Sequence, residues 1–324
     1  MLVVTGLVLL ALLAGFALGP RPRLDAKLPQ VAVPTLENPA ELSAWLDERE
    51  RNVPGMTPGA EACIQFADPQ APQKTPLCFV YVHGFSATWP ETAPVTERLA
   101  ARFGANVLQA RLAGHGTDSA GMVTPAELWL SSLRETWEIA TQLGDRVVIV
   151  ATSTGAPLAV WLASFADVRE KLHALLFMSP NFRIRSRFDF LLTFPWSGYW
   201  IHWFVGRERS WEPINEAQAK FWTYRYSTLA LIEMQKVVAW ARQCRLSALQ
   251  VPLAIMYMKN DPTIDPAAAI RAFEQWGGAP KRLIKVTIDE DEASHVFVGD
   301  ITAPHRNDWT VDQFATFLAE VRTP

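Results

Sequence analysis

The sequence predicts an α/β fold: a mostly parallel central sheet with helices on both faces, an inserted helical cap and an N-terminal hydrophobic helix. Three observations predict it. From about residue 77 onward, short apolar runs alternate with amphipathic helical stretches, the pattern of a sheet covered on both sides. Residues 181–250 break that alternation and form a stretch too long for a plain connection in a compact domain. Residues 1–19 carry no charged side chain.

The N-terminal run is mostly Leu, Val and Ala, and nineteen residues at a helical rise reach about 28 Å, close to the hydrocarbon thickness of a bilayer. No basic region precedes it, as a signal peptide would normally require, and Arg21, Arg23 and Lys27 follow it. The expectation is a membrane anchor, N-outside and C-inside, with the rest of the chain in the cytoplasm. The alternative is a cleaved signal near Gly15 and Ala17, with a secreted or periplasmic product. Residues 20–36, rich in proline, read as an extended linker.

The core is expected over 37–180 and 251–324, interrupted by a helical cap at 181–250. Residues 37–51 show a short helical pattern. Strand-like runs are 77–82, 107–112, 147–151, 174–178, 253–258 and 283–288. Thr124-Pro125-Ala126-Glu127 reads as a capping box with proline at the first helical position. Leu128, Leu130, Leu133, Trp137 and Ile139 supply the apolar residues of the helix that follows. Asp265-Pro266 opens another helix, and Thr310, Phe314, Phe317 and Leu318 mark the last.

Composition excludes several classes. The 324 residues are 49% hydrophobic and 19% charged, which describes a globular protein. A net charge of −3 gives no basic excess, so nucleic acid is not an expected partner. Cys63, Cys78 and Cys244 form no CxxC pair, which argues against a zinc knuckle or a redox motif. Buried reduced thiols are expected, with a Cys63–Cys78 bridge as the alternative.

Residues 147–151 form a buried apolar run that passes directly into Thr152-Ser153-Thr154-Gly155 and then into a helical pattern through Leu158, Val160, Trp161 and Leu162. A serine on a sharp strand-to-helix turn projects its hydroxyl above a sheet, and small residues must flank it where strand and helix come close. Ala151 and Gly155 fill those positions. Glycine is usual at both, so Ala151 departs from the pattern. A helix-capping serine is the plainer reading of Ser153, and the strand before it and helix after it favour a nucleophile.

A second apolar run, 79–82, ends in His83-Gly84-Phe85. Backbone N–H groups of Phe85 and Thr154 are the candidates to hold an oxyanion, because fixed donors need no reorganisation as charge develops. His83 reads as a structural hydrogen-bonder. With a serine nucleophile in this architecture the order is serine, acid, histidine. Asp261 sits just past the run 253–258, and Asp265 is accounted for as a helix cap. Of the histidines, His295 lies in the loop after the last strand, and His305 lies nearer the final helix. Asp261 and His295 are therefore the expected acid and base, and the acidic run 289–292 reads as a solvated loop.

With these pieces in order, the chain resembles the bacterial α/β-hydrolases related to monoacylglycerol lipases and small carboxylesterases. The matching segments are His83-Gly84-Phe85-Ser86, Arg111-Leu112-Ala113-Gly114-His115-Gly116-Thr117-Asp118, the Ser153 turn, Asp261 with Ile264 and Pro266, and His295-Val296. They run from about residue 77 to residue 322, and the Arg111–His115 segment is the most specific. The resemblance implies ester hydrolysis through an acyl-enzyme and a structural role for His115. It implies no metal and no organic cofactor.

Six of the 13 tryptophans fall in the cap: Trp196, Trp200, Trp203, Trp211, Trp222 and Trp240. They suggest a lipophilic ester substrate, such as a monoglyceride or lysolipid, entering beneath the cap. Equally, they fit a small aromatic core of the cap's own. Two readings compete with ester cleavage: amide or thioester cleavage by the same triad, and a membrane-tethered binding protein that kept the fold without activity.

Overall fold

The chain is described here by a computed structural model covering residues 2–287 and 294–321. Ile288 and the acidic run 289–292 lie outside the described residues.

Among the described residues, nine strands follow in chain order: β1 (Cys63–Gln65), β2 (Thr75–Val82), β3 (Asn106–Gln109), β4 (Gly144–Thr152), β5 (Leu172–Met178), β6 (Glu208–Ser210), β7 (Arg225–Ser227), β8 (Leu253–Met258) and β9 (Lys281–Val286). Seven form one sheet in the order β1-β3-β2-β4-β5-β8-β9, and β6 and β7 form a separate ribbon. Only β1 in the main sheet runs antiparallel to its neighbour. Along β2 and β4 successive side chains face opposite ways. Val80, Val82, Ile149 and Ala151 enter one core layer; Phe79, Tyr81, Val148 and Val150 enter the other.

The first layer is closed by the helices Ala126–Leu143, Gly155–Ala163 and Leu229–Ala241, which contribute Trp129, Leu133, Trp161 and Val237. The second is closed by Val95–Arg102 and Asn307–Glu320, with Leu99, Phe314 and Phe317 buried against the strands. Burial of a large apolar side chain is worth about 1.5–3 kcal/mol, so the paired layers explain why the strands read as continuous apolar runs.

Several boundaries differ from the sequence reading. The strand expected at 107–112 stops at Gln109, because the chain turns after Ala110 donates to the Tyr81 carbonyl. The strand expected at 283–288 begins earlier, at Lys281, in register with Leu253. β1 has only three residues and no apolar alternation long enough to read. The capping box at Thr124 does not form. Its hydroxyl donates to the Gly121 carbonyl, Pro125 takes the cap position, and the Ala126 N–H is satisfied by Glu233 of the cap. A side chain distant in sequence thus takes the capping task. Asp265 does cap its helix, accepting from Ala267 N at 3.0 Å. All three cysteines are free.

The segment 181–250 carries the helices Ser197–Trp200, His202–Val205, Glu216–Phe221 and Leu229–Ala241 together with the β6–β7 ribbon. The N-terminal helix runs Leu2–Ala17. Among the described residues, no helix is long and apolar enough to cross a membrane. The stretch 20–36 has no regular structure, yet it is packed along the domain. Leu24, Leu28 and Val33 lie against the core, Trp161 Nε1 donates to Ala26 O at 2.9 Å, and Gln142 receives Leu36 N and donates to Pro34 O.

Candidate active site

The carboxyl ends of β2, β4 and β8, with His295 from the chain after β9, bring the predicted residues to one rim of the sheet. β4 passes into the Gly155–Ala163 helix through Ser153, whose φ of 51° is a left-handed conformation that few non-glycine residues adopt. Ser153 N donates to Met178 O, and Asn181 N donates to Ser153 O, so hydrogen bonds from both sides hold the strained turn. Gly155 is obligatory: a Cβ there would overlap the Val82 carbonyl oxygen. Ala151 lies two residues before Ser153, inside β4, registered between Val82 and Phe177 with its methyl in the core. That position has room for a methyl group, which explains the departure from glycine.

Ser153 Oγ is 2.8 Å from His295 Nε2. His295 Nδ1 is 2.9 Å and 3.1 Å from the two oxygens of Asp261. Asp261 Oδ1 also accepts the N–H groups of Thr263 and Ile264. Burial pushes the Asp261 carboxyl up, but the His295 charge and these hydrogen bonds outweigh it and hold the group below its ordinary value. His305 is exposed on a turn near the final helix, and Asp265 serves its cap.

Phe85 and Thr154 follow β2 and Ser153 respectively. Among the described residues, neither backbone N–H donates to a protein acceptor, so both are available to a ligand oxygen. His83 is buried and accepts Leu112 N through Nε2, which leaves Nδ1 to donate to Gly84 O. Burial pushes it down to about 4, so it stays neutral and pins the loop. Burial likewise holds His115 well below its ordinary value, against Trp129 and Phe85. Both histidines are buried.

Glu91 was not legible as a site residue. It lies on a one-turn helix, Trp89–Glu91, and is buried beneath the loop after β2. Oε1 accepts Gly84 N at 2.6 Å and the Tyr81 hydroxyl at 2.8 Å; Tyr81 in turn is 2.9 Å from Thr152 Oγ1. Burial pushes the Glu91 carboxyl up to about 7, against the Gly84 N–H, the Tyr81 hydroxyl and the His295 charge. A single glutamate after proline in a polar turn reads as surface. Only the fold turns it inward. Asn181 is hidden from sequence reasoning for the same reason; it is buried and donates to Thr154 Oγ1 at 3.2 Å.

The cap closes over this rim. Trp222 packs with Ala87 and with Val296, the neighbour of His295. Tyr226 meets Phe85 edge-on at 5.3 Å, and Thr223 N donates to Ser86 O. The tryptophans divide: Trp222 is buried over the site, whereas Trp203 faces solvent.

A serine on a strained strand-to-helix turn, a histidine and a buried aspartate, at the carboxyl rim of a parallel sheet, define the hydrolase class of α/β protein. The chain belongs to the Alpha/beta hydrolase family, which its residues 79–312 match. No curated protein matches the chain. Solved structures share the fold at low identity. A metagenome-derived lipolytic enzyme is 18% identical with a TM-score of 0.64, over 82% of this chain and 99% of that one. The monoacylglycerol lipase of Paleococcus ferrophilus is 16% identical with a TM-score of 0.60, over 81% and 100%. A soluble variant of the monoglyceride lipase of Saccharomyces cerevisiae, bound to a substrate analogue, is 14% identical with a TM-score of 0.60, over 94% and 100%.

Proposed function

We propose that the protein is a serine hydrolase that cleaves carboxylic esters of lipophilic acyl groups, such as monoglycerides or lysolipids, through an acyl-enzyme. The observation that carries this reading is the continuous line of hydrogen-bond contacts from Ser153 Oγ through the His295 imidazole to Asp261. His295 Nε2 takes the hydroxyl proton as Ser153 Oγ attacks the ester carbonyl carbon. Asp261 holds Nδ1 protonated and stabilises the imidazolium. The Phe85 and Thr154 N–H groups receive the negative oxygen. His295 then protonates the leaving alkoxide, and water, deprotonated by the same imidazole, releases the acid.

The cap supports lipophilic substrates. Trp222 packs on Val296, next to His295, and Tyr226 packs on Phe85, apolar surface suited to an acyl chain. The Leu2–Ala17 helix and the basic residues after it support attachment to a membrane with the catalytic domain on the cytoplasmic side. Deleting residues 1–18 should then release the protein from the membrane fraction, and retention there would contradict the attachment.

A fluorophosphonate probe tests the chemistry directly. The wild-type protein should be labelled, and Ser153→Ala should not. Absence of wild-type labelling would sink the hydrolase reading in favour of a binding protein. Turnover that prefers short polar acyl groups over long ones would sink the substrate class.

A further inference from the structure

The base of the N-terminal helix is built against the tip of the cap. Phe16 meets Phe194 at 6.0 Å, Trp196 N donates to Pro20 O at 2.8 Å, and the Arg21 guanidinium lies 5.6 Å from the centre of the Phe194 ring. Gly19 sits so close to Trp196 that an added Cβ would fall inside the indole. Trp196 itself holds a left-handed backbone, φ 60°, a conformation that costs energy and persists only when its surroundings enforce it.

Apolar side chains continue outward from this joint in both directions. Val4, Leu7, Leu10 and Leu13 of the helix are exposed on several sides, which is unlike a soluble amphipathic helix. On the cap, Trp203 is 76% exposed, Phe204 73%, Tyr199 70% and Phe188 67%. Soluble surfaces seldom gather so many large aromatics, whereas the headgroup level of a bilayer favours them.

A cleft of about 430 Å³ opens at the same joint, lined by Arg21, Arg23, Thr193, Lys236, Trp240 and Gln243. Lys236 is already paired with Glu127 at 2.9 Å and Glu233 at 2.7 Å. Arg21 and Arg23 form no ion pair among the described residues, so even with Lys236 and its two carboxylates counted the cleft keeps a net positive charge. Guanidinium forks match phosphate oxygens in geometry and charge.

We propose that the helix, the aromatic tip of the cap and this cleft form one membrane-docking surface, and that the cleft seats the phosphodiester headgroup of an anionic lipid. The helix enters the bilayer, Trp203 and Phe204 lie at headgroup level, and Arg21 and Arg23 hold the phosphate between them. The inference draws on the ester-hydrolase reading only for its purpose, which is to set the active site beside lipid.

Flotation of the full chain with vesicles tests it, and the result is read without turnover. Vesicles of phosphatidylcholine doped with phosphatidylglycerol should bind the wild type about tenfold or more better than phosphatidylcholine alone. Arg21→Ala with Arg23→Ala should erase that preference and leave binding to phosphatidylcholine intact. Trp203→Ser with Phe204→Ser should weaken binding to both by about tenfold. Both double variants should hydrolyse a short soluble ester at the wild-type rate, which shows that they fold. Equal wild-type binding to the two vesicles, or a preference that survives loss of both arginines, overturns the proposal. So does saturation of the cleft by inorganic phosphate as tight as by vesicles, which would assign it to a soluble anion. Loss of ester turnover in the wild type would count against the hydrolase reading alone.

Discussion

The carboxylate of Glu91 accepts the backbone N–H of Gly84 at 2.6 Å, immediately before Phe85. The same oxygen receives the Tyr81 hydroxyl, which reaches Thr152 immediately before Ser153. One buried group therefore braces the segments that carry both proposed oxyanion donors. Gly84 packs tightly here: a Cβ would lie 3.1 Å from Ser153 Cβ and 3.4 Å from Glu91 Oε2. Gly84→Ala is expected to lower kcat by about tenfold or more by displacing that loop, since small misplacements are costly at a reacting centre. Unchanged KM and thermal midpoint alongside the lower kcat would locate the effect in positioning; an unchanged kcat would refute it.

Glu91 also predicts a pH signature in stability. Its folded value, about 7, lies above the ordinary 4.5. The folded state therefore binds the proton more tightly than the unfolded chain does. The associated stability is complete below 4.5 and is lost as pH rises through about 7. Glu91→Gln keeps an acceptor for Gly84 and Tyr81 but has no proton to lose. Chemical denaturation should show the variant gaining on wild type from about pH 5 to about pH 8, by about 3 kcal/mol. Asp261 is shifted the other way, so its stability is lost as pH falls below 3.8, outside that window. A constant difference across the range would show that Glu91 is not the responsible group.

Asp261→Asn should preserve the fold and lower kcat by about 10⁴-fold, because the imidazole loses the partner that fixes its tautomer and supports its charge. Single-turnover kinetics with a chromogenic ester would measure it. Loss confined to KM would contradict the assigned role.

Arg111 and Glu50 form a shielded bidentate pair, with contacts of 2.5 Å and 2.8 Å, and Glu50 also accepts Ala62 N. Arg111→Met would leave that carboxylate buried and unpaired. A loss of about 3–5 kcal/mol in stability is expected from urea unfolding. A loss under about 1 kcal/mol would show that water reaches Glu50.

Local features of the chain carried much of this site. Ser153, Asp261 and His295 each follow or precede an apolar run whose end can be read, and the order of the elements links them. Gly155 was legible because close approach of strand and helix demands it. Glu91, Asn181 and the Glu50–Arg111 pair were not, since their partners are distant in sequence and burial alone gives them meaning. The failed cap at Thr124 has the same origin: Glu233, more than a hundred residues away, satisfies the backbone in its place. The cap's ribbon was hidden because three-residue strands leave no periodicity to detect.

The path of residues 20–36 bears on how a trimmed gene should be made. This strap gives Ala26 O to the Trp161 indole, Asp25 N to Glu127 and Pro20 O to the cap. Trimming to residue 27 for crystallisation would strip a shield from a fully buried tryptophan and leave a sticky seam across the back of the molecule. A version starting at Pro20 keeps the stitching whole and discards only the oily helix.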